Sequence, residues 1–149
     1  MTQTSVRIRS ATTDDAGSVG DLAGQLAESF PFSRARFNET YAALLSPADA
    51  CLLLADNGTE VLGYLLGFEH GTFFANGPVA WVEEILVRDS DRGRGIGRAL
   101  MRAFEAWATQ RGCALVALAT RRATPFYTAL GYEESATYLR RLMPADTGR

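Results

Sequence analysis

The chain of 149 residues has no lysine, because all 15 of its basic residues are arginine. This absence excludes a P-loop nucleotide site, whose glycine-rich loop must be followed by lysine and then serine or threonine. Histidine occurs once, at His70, and cysteine twice, at Cys51 and Cys113. A zinc site is therefore not expected, and a Ser-His-Asp triad would have to rely on a histidine in a glycine-flanked loop. Both cysteines lie in apolar runs, which favours buried thiols over a disulfide.

The sequence also lacks long hydrophobic runs and any stripe of basic and aromatic residues. No stretch is long enough for a signal-peptide core or a membrane span, and nothing resembles a nucleic-acid-binding surface. We therefore expect a cytoplasmic protein without membrane or nucleic-acid partners. The length suits one domain over 1–149, with a loose tail over 144–149.

Charge is distributed unevenly although the net charge is only −2. Residues 1–87 carry 4 arginines and 11 acidic residues, a balance of −7, whereas residues 88–149 carry 11 arginines and 6 acidic residues, a balance of +5. Solvated surface accounts for most of these charges. The second part nevertheless suits an anionic ligand, and the first part suits a cationic one.

Apolar periodicity predicts an α/β fold with a mixed sheet in the order β-α-α-β-β-β-α-β-α-β(-β). Helices are expected on both faces of a central, mostly antiparallel sheet, with one parallel crossover between the strands at 80–87 and 114–119. The predicted helices follow the cap at 13–15, span 33–45, run from 96 to a stop at 112, and span 123–130. The other strands are predicted over 6–9, 51–55 and 61–69, with one or two closing strands within 132–143 and a loop over 70–78.

The run from Arg92 to Gly97 joins the strand at 80–87 to the helix that begins near Ile96. Glycine at positions 93, 95 and 97 removes three side chains and permits unusual backbone angles. Backbone amides there can point at one spot beside the positive end of a helix, with Arg92, Arg94 and Arg98 around it. The pattern predicts a cradle for a phosphate or pyrophosphate. The glycine spacing differs from the G-x-G-x-x-G of a dinucleotide fold.

Two motifs together resemble the GNAT superfamily of N-acetyltransferases. Residues 87–97 read V-x-x-x-x-R-G-x-G-I-G, and residues 126–132 read F-Y-x-x-L-G-Y. The predicted element order also resembles that fold, so the likeness covers nearly the whole chain and is strongest over 80–132. The resemblance implies an acetyl-CoA-dependent acyltransferase that uses no metal.

The resemblance also implies which residues hold the acetyl-CoA co-substrate. Backbone groups of Ile85, Leu86 and Val87 would pair with the amide-bearing pantetheine arm, as an added strand does. The pyrophosphate would lie against the backbone of the glycine-rich loop. Thr120 stands where many relatives have an asparagine, and its hydroxyl would replace that contact in part. The cofactor-binding set is Ile85, Leu86, Val87, Arg92, Gly93, Arg94, Gly95, Ile96, Gly97, Arg98 and Thr120.

Acetyl transfer to an amine needs a base for the amine proton and an acid for the departing thiolate. Tyr127 matches the family tyrosine near the sulfur and is the expected acid. Glu83 and Glu84 are adjacent on one strand, so they should point to opposite faces. Glu83 is the preferred base, acting directly or through water, and Glu84 is expected to bind the positive charge of the acceptor. Either could instead be a simple exposed strand carboxylate.

The acceptor is a small-molecule amine or a peptide or protein amine, which the sequence does not distinguish. Residues expected to line its site are Glu28, Phe30 and Trp81, with Phe32, Phe73 and Phe74 near them. For Trp81, packing under the sheet is favoured over lining the acceptor cleft, whereas the exposed aromatic residues would equally suit a homodimer contact. The alternative function is a non-catalytic acyl-CoA-binding or sensor module on the same fold.

Overall fold

The computed structural model describes residues 5–27 and 29–144 and divides into two compact units, residues 1–118 and 119–149. The first unit contains a five-stranded sheet in the order β1-β2-β3-β4-β5. The strands are β1 (Arg7–Ser10), β2 (Ala50–Asp56), β3 (Val61–Thr72), β4 (Gly77–Val87) and β5 (Val116–Leu118). Neighbouring strands from β1 to β4 are antiparallel, and β4 pairs with β5 in parallel. The predicted mixed, mostly antiparallel sheet is confirmed.

Two helices pack on one face of this sheet, α1 (Ala16–Ala23) and α2 (Arg34–Leu44). Capping explains where they begin. Thr12 and Asp15 form a capping box at the 3₁₀ turn that leads into α1, and the Ser33 hydroxyl accepts from the Arg36 amide at the start of α2. The buried cluster beneath the helices comprises Val19, Leu22, Tyr41, Leu54, Tyr64, Leu66 and Leu86.

Helix α3 (Ile96–Gln110) buries Ile96, Leu100, Met101, Phe104 and Ala108 along one side. Gly67 on β3 shows how closely this helix approaches the sheet. A Cβ at Gly67 would lie 2.3 Å from Cε1 of Phe104, so only glycine admits that ring. Because residues alternate along a strand, α3 covers the face opposite to the cluster under α1 and α2.

The predicted loop over 70–78 is wrong, because most of it is paired. His70 pairs with Val79, and Thr72 pairs with Gly77, so β3 and β4 form one long hairpin. Only residues 73–76 form the turn, with Asn76 at φ 58°. The Thr72 hydroxyl stabilises the turn by donating to the Gly77 carbonyl at 2.7 Å.

The second unit contains α4 (Thr124–Ala129), which has Pro125 in its first turn and ends before Gly131 at φ 98°. The predicted closing strands do not form, since residues 132–144 have no strand pairing. Four apolar side chains of this segment are exposed, those of Tyr138, Leu139, Leu142 and Met143. Their residue types favour strand structure, but a strand also requires a paired neighbour. The expected tail over 144–149 lies almost wholly outside the described residues. Within the described ranges, no helix is long and apolar enough to cross a membrane.

Candidate functional site

A β-bulge in β4 leaves Glu83 outside the strand pairing, next to Glu84. Leu66 of β3 pairs with Glu84, but the next residue, Gly67, pairs with Val82, so Glu83 has no partner in the ladder. Such bulges re-aim side chains and are common next to active sites. The Trp81 indole donates to Glu83 Oε2 at 2.8 Å.

Glu83 and Glu84 both hydrogen-bond side chains on the face of the sheet that α1 and α2 cover. Glu84 accepts a hydrogen bond from the Tyr64 hydroxyl at 2.7 Å. Tyr64 belongs to the cluster under α1 and α2, and Phe68, the partner of Trp81, packs against that cluster. The expectation that the two glutamates point to opposite faces is therefore wrong, because the bulge interrupts the strand alternation on which it depended.

Beyond this bulge, one edge of β4 is open. The pairing between β4 and β5 spans Ala80 to Val82 only, and among the described residues no strand pairs with that edge further along. The Arg88 amide donates to the Leu62 carbonyl at 2.9 Å, which turns Arg88 toward β3. Alternation then turns the N–H and C=O groups of Ile85 and Val87 toward the open edge, and those of Leu86 toward β3. The Val87 carbonyl accepts from Nε of Arg92. The other backbone groups of Ile85 and Val87 on this edge are donors and acceptors that no strand of the described residues pairs, which is what an amide-bearing ligand needs.

The glycine-rich loop follows directly and leads into α3. Gly93 and Gly95 adopt φ 79° and 81°, a region that other residues rarely occupy. A Cβ built on either would meet no atom within 4 Å, so the backbone of the loop is open to an approaching group. The Gly95 carbonyl accepts from the Ala99 amide at 3.0 Å. The amides of Ile96, Gly97 and Arg98 therefore precede the first hydrogen bond of the helix and are available to an anion.

Asp91 fixes the shape of this loop from within. Its buried carboxylate accepts from Arg88 and, at 2.5 Å, from Nη1 of Arg94. The hydrogen bond from Arg88 is the main cause that holds the pKa of Asp91 below its ordinary value. Arg88 also pairs with Glu60, which directly precedes β3. This network ties the loop to the sheet.

The three predicted loop arginines are not equivalent. Arg92 pairs with Asp89 at 3.1 Å and donates to the Val87 carbonyl at 3.2 Å, and Arg94 pairs with Asp91 at 2.5 Å. Arg98 is exposed in the first turn of α3, and no side-chain partner for it is found within 5–27 and 29–144. The cationic character expected of the loop is thus partly neutralised by Asp89 and Asp91.

Tyr127 and Thr120 lie in the second unit. The Tyr127 ring is buried and contacts Phe126 and Tyr132 edge to face, at centroid distances of 4.9 and 6.1 Å. Burial raises the pKa of the Tyr127 hydroxyl, so it keeps its proton at neutral pH. Within the described residues the hydroxyl has no hydrogen-bond partner. The exposed Thr120 hydroxyl accepts from the Ala123 amide at 3.0 Å.

The residues predicted for the acceptor site are distributed over several elements. Trp81 lies beside Glu83, as described above, and is half-buried. Phe30 is exposed between α1 and α2, whereas Glu28 lies outside the described residues. Phe73 and Phe74 lie in the turn of the β3–β4 hairpin, where Phe73 is 102% exposed. No group of three or more metal-ligating residues occurs in the part of the chain that the structure describes.

An open strand edge that leads into a glycine-rich loop at a helix start suits a ligand that carries both amide and phosphate groups. The model of the acetyltransferase (GNAT) family matches residues 21–132. The chain therefore belongs to this family and is an acyltransferase. No curated protein sequence matches the chain.

Several solved structures share the fold. The aminoglycoside N-acetyltransferase AAC(6')-Iy in complex with CoA is 22% identical with a TM-score of 0.84, and the match covers 97% of this chain and 98% of that one. Glucosamine-6-phosphate N-acetyltransferase from Arabidopsis thaliana is 18% identical with a TM-score of 0.82, covering 94% and 99%. An acetyltransferase from Trypanosoma brucei is 24% identical with a TM-score of 0.80, covering 93% and 100%. These likenesses establish the fold.

Sequence reasoning missed two residues that shape the site, Tyr64 and Asp91. Tyr64 lies in an apolar strand, and the role of its hydroxyl can be recognised only when the pairing of β3 with β4 brings Glu84 next to it. Asp91 looks like an ordinary loop acid. Its position between Arg88 and Arg94 was the available signal, because a carboxylate at i+3 from one arginine and i−3 from another can bind both.

Proposed function

We propose that the protein transfers the acetyl group of acetyl-CoA to a primary amine by direct attack in a ternary complex. The open edge of β4, which leads directly into the glycine-rich loop, carries this proposal. The edge suits the two amides of a pantetheine arm, and the loop suits the pyrophosphate that follows them. We propose further that both units act as one acetyltransferase domain, in the cytoplasm.

Binding of the donor would use mainly backbone groups. Ile85 and Val87 would hydrogen-bond the pantetheine arm, with Leu86 between them. The amides from Arg92 to Arg98 would bind the pyrophosphate, helped by the positive end of α3. Asp91 would hold the loop ready, so that little conformational entropy is lost on binding. Thr120 is proposed to contact the cofactor arm through its hydroxyl.

The reaction needs one proton taken and one given. The neutral amine would attack the thioester carbonyl while Glu83, exposed at the bulge and held by Trp81, takes one proton from its nitrogen, directly or through water. The C–S bond breaks to leave a neutral amide, and the thiolate takes the proton of the Tyr127 hydroxyl. Glu83 then loses its proton to solvent, and Tyr127 regains one from solvent. Glu84 would bind the positive charge of the acceptor, and Phe30 and Glu28 would contribute to its site.

A covalent acetyl-enzyme on cysteine is less favourable. Burial raises the pKa of Cys51 to about 11 and also raises that of Cys113. Both thiols are therefore protonated at neutral pH, and the thiolate is the nucleophilic form. Direct attack by the amine requires neither.

Two observations support a proposal for the class of acceptor, the carboxylates of the site and one relative that has been solved in two complexes. AAC(6')-Iy is an aminoglycoside acetyltransferase and has been solved with a bisubstrate analogue of CoA and an acetylneamine. The paired Glu83 and Glu84 suit a cationic amine of this general kind. We propose a small-molecule amine as the first choice and a peptide amine as the second.

The test is thiol release from acetyl-CoA with a panel of amines, with the product identified by mass and amine-free hydrolysis as the blank. We expect one N-acetylated product for each thiol released. Glu83→Gln should lower the turnover about 10²- to 10⁴-fold, the usual value of a positioned base, whereas Glu39→Gln, an exposed carboxamide control on α2, should not. Coenzyme A binding without amine-dependent release would instead favour an acyl-CoA-binding module.

A further inference from the structure

The hydrogen bond between Tyr64 and Glu84 joins the hydrophobic core to the proposed acceptor site. Tyr64 is 2% exposed on β3, and its hydroxyl donates to Glu84 Oε1 at 2.7 Å. Glu84 is half-buried on β4, directly after the bulge. One end of this contact is therefore fixed by close packing, while the other belongs to a carboxylate that reaches the surface.

The direction of this hydrogen bond is determined by the surroundings of Tyr64. Burial, together with the nearby charge of Glu84, raises the pKa of Tyr64 far above its ordinary value. The phenol keeps its single proton and directs it at Oε1. The second oxygen of Glu84 accepts no hydrogen bond from the described residues, so it is available to a cation.

Packing alone does not require a hydroxyl at position 64. The buried cluster around Tyr64 is otherwise aliphatic except for a second tyrosine, Tyr41. The Tyr41 hydroxyl donates to the Thr12 carbonyl at 2.5 Å and so joins α2 to the start of α1. Among the described residues, the Tyr64 hydroxyl makes no such hydrogen bond to the backbone, and its partner is Glu84.

We propose that Tyr64 is a positioning residue, whose hydroxyl orients Glu84 so that the free carboxylate oxygen binds a second cationic group of the amine acceptor. The inference rests on the proposed function, since it concerns the acceptor of that reaction. It specifies the acceptor as an amine that carries another positive charge near the one to be acetylated.

The experiment measures binding and requires no turnover. The protein is saturated with coenzyme A, and 1,4-diaminobutane and 1-aminobutane are titrated by calorimetry. The wild type should bind the diamine about tenfold more tightly, the value of one charge-assisted contact. Tyr64→Phe and Glu84→Gln should each remove most of that preference, and the double variant should lose no more than either single variant, because both residues act through one contact.

Two further variants separate positioning from packing and charge. Tyr41→Phe removes a buried hydroxyl from the same cluster without touching Glu84 and should keep the wild-type preference. Glu84→Asp keeps the charge but shortens the side chain, so it should lose the preference even if Tyr64→Phe proves unstable. In turnover, Tyr64→Phe should raise the KM for the diamine and leave the KM for acetyl-CoA unchanged.

Three results would overturn the inference: a wild type without preference, a Tyr64→Phe or Glu84→Asp variant that keeps it, or an equal loss in Tyr41→Phe. The proposed function fails by a different result, the absence of amine-dependent thiol release. A protein that prefers the diamine but releases no thiol would refute acetyl transfer and support the Glu84 site.

Discussion

Substitution of Gly95 by alanine gives a direct test of the glycine-rich loop, because Gly112 provides a matched control. The two glycines flank the same helix, α3, with φ of 81° and 73°, and a Cβ on either would meet no atom within 4 Å. Forcing an L-residue into this conformation costs about 1–2 kcal/mol. Both alanine variants should therefore lose similar stability, about 2–8 °C in Tm for a chain of this size.

Only the variant at Gly95 should lose affinity for coenzyme A. The new methyl group would occupy the open side of the loop, where a phosphate must approach the backbone. One lost hydrogen bond to a charged group costs about 1.5–3 kcal/mol, which corresponds to about 10- to 150-fold in Kd. Calorimetric titration of coenzyme A into both variants measures this difference. Unchanged affinity in folded Gly95→Ala, or an equal loss in Gly112→Ala, would refute the loop as the phosphate site.

Three further outcomes are expected. Tyr127→Phe should lower turnover about 10²- to 10⁴-fold with little change in coenzyme A affinity; near-full turnover, with chemistry rate-limiting, would reduce the residue to packing. Asp15 has a pKa lowered from 3.8 to about 2, chiefly by the hydrogen bond from Arg9. It therefore contributes roughly 2 kcal/mol to the free energy of unfolding above pH 4, and this contribution is lost as the pH falls toward 2. In urea unfolding, the free energy of unfolding of Asp15→Asn should depend less steeply on pH in this range, and an unaltered dependence would contradict the prediction. Because the chain lacks lysine, incubation with acetyl-CoA should add at most one acetyl group by intact mass, and two stable adducts would indicate O- or S-acylation.

The sequence was sufficient for elements whose pattern is local. Helix α3 was predicted because its apolar residues recur at helical spacing, and the glycine-rich loop because its glycines precede that helix. The prediction of a loop over 70–78 was wrong because residue types typical of turns, such as Thr72 and Gly77, are paired across the two strands. The prediction of closing strands within 132–143 was wrong for the opposite reason, because residues with strand preferences have no strand to pair with.

The sequence predicts those parts of the candidate site that lie in a motif. It does not predict the parts that depend on how the strands pair. The resemblance predicted that Ile85, Leu86 and Val87 pair with the cofactor arm, and this remains a prediction. The pairing of β4 with β5 ends at Val82 and leaves that edge of β4 without a neighbouring strand among the described residues. The bulge at Glu83 could not be read from one strand, because it depends on how β3 and β4 align. The same holds for Tyr64, whose hydroxyl is paired with a residue twenty positions away.

Because of the bulge, Glu83 is an extra residue in β4 that takes no part in the strand pairing. On one side Leu66 pairs with Glu84, and on the other Gly67 pairs with Val82, so removing Glu83 would join two registers that already agree. Deleting Glu84 gives the same sequence, because the two neighbours are both glutamate. Removal of a residue elsewhere in β4 would instead shift part of the strand by one position and turn its buried side chains outward. The scaffold and this part of the site are thus separable in evolution: descendants could lose or regain the residue at position 83 by a single codon while the sheet stays as it is.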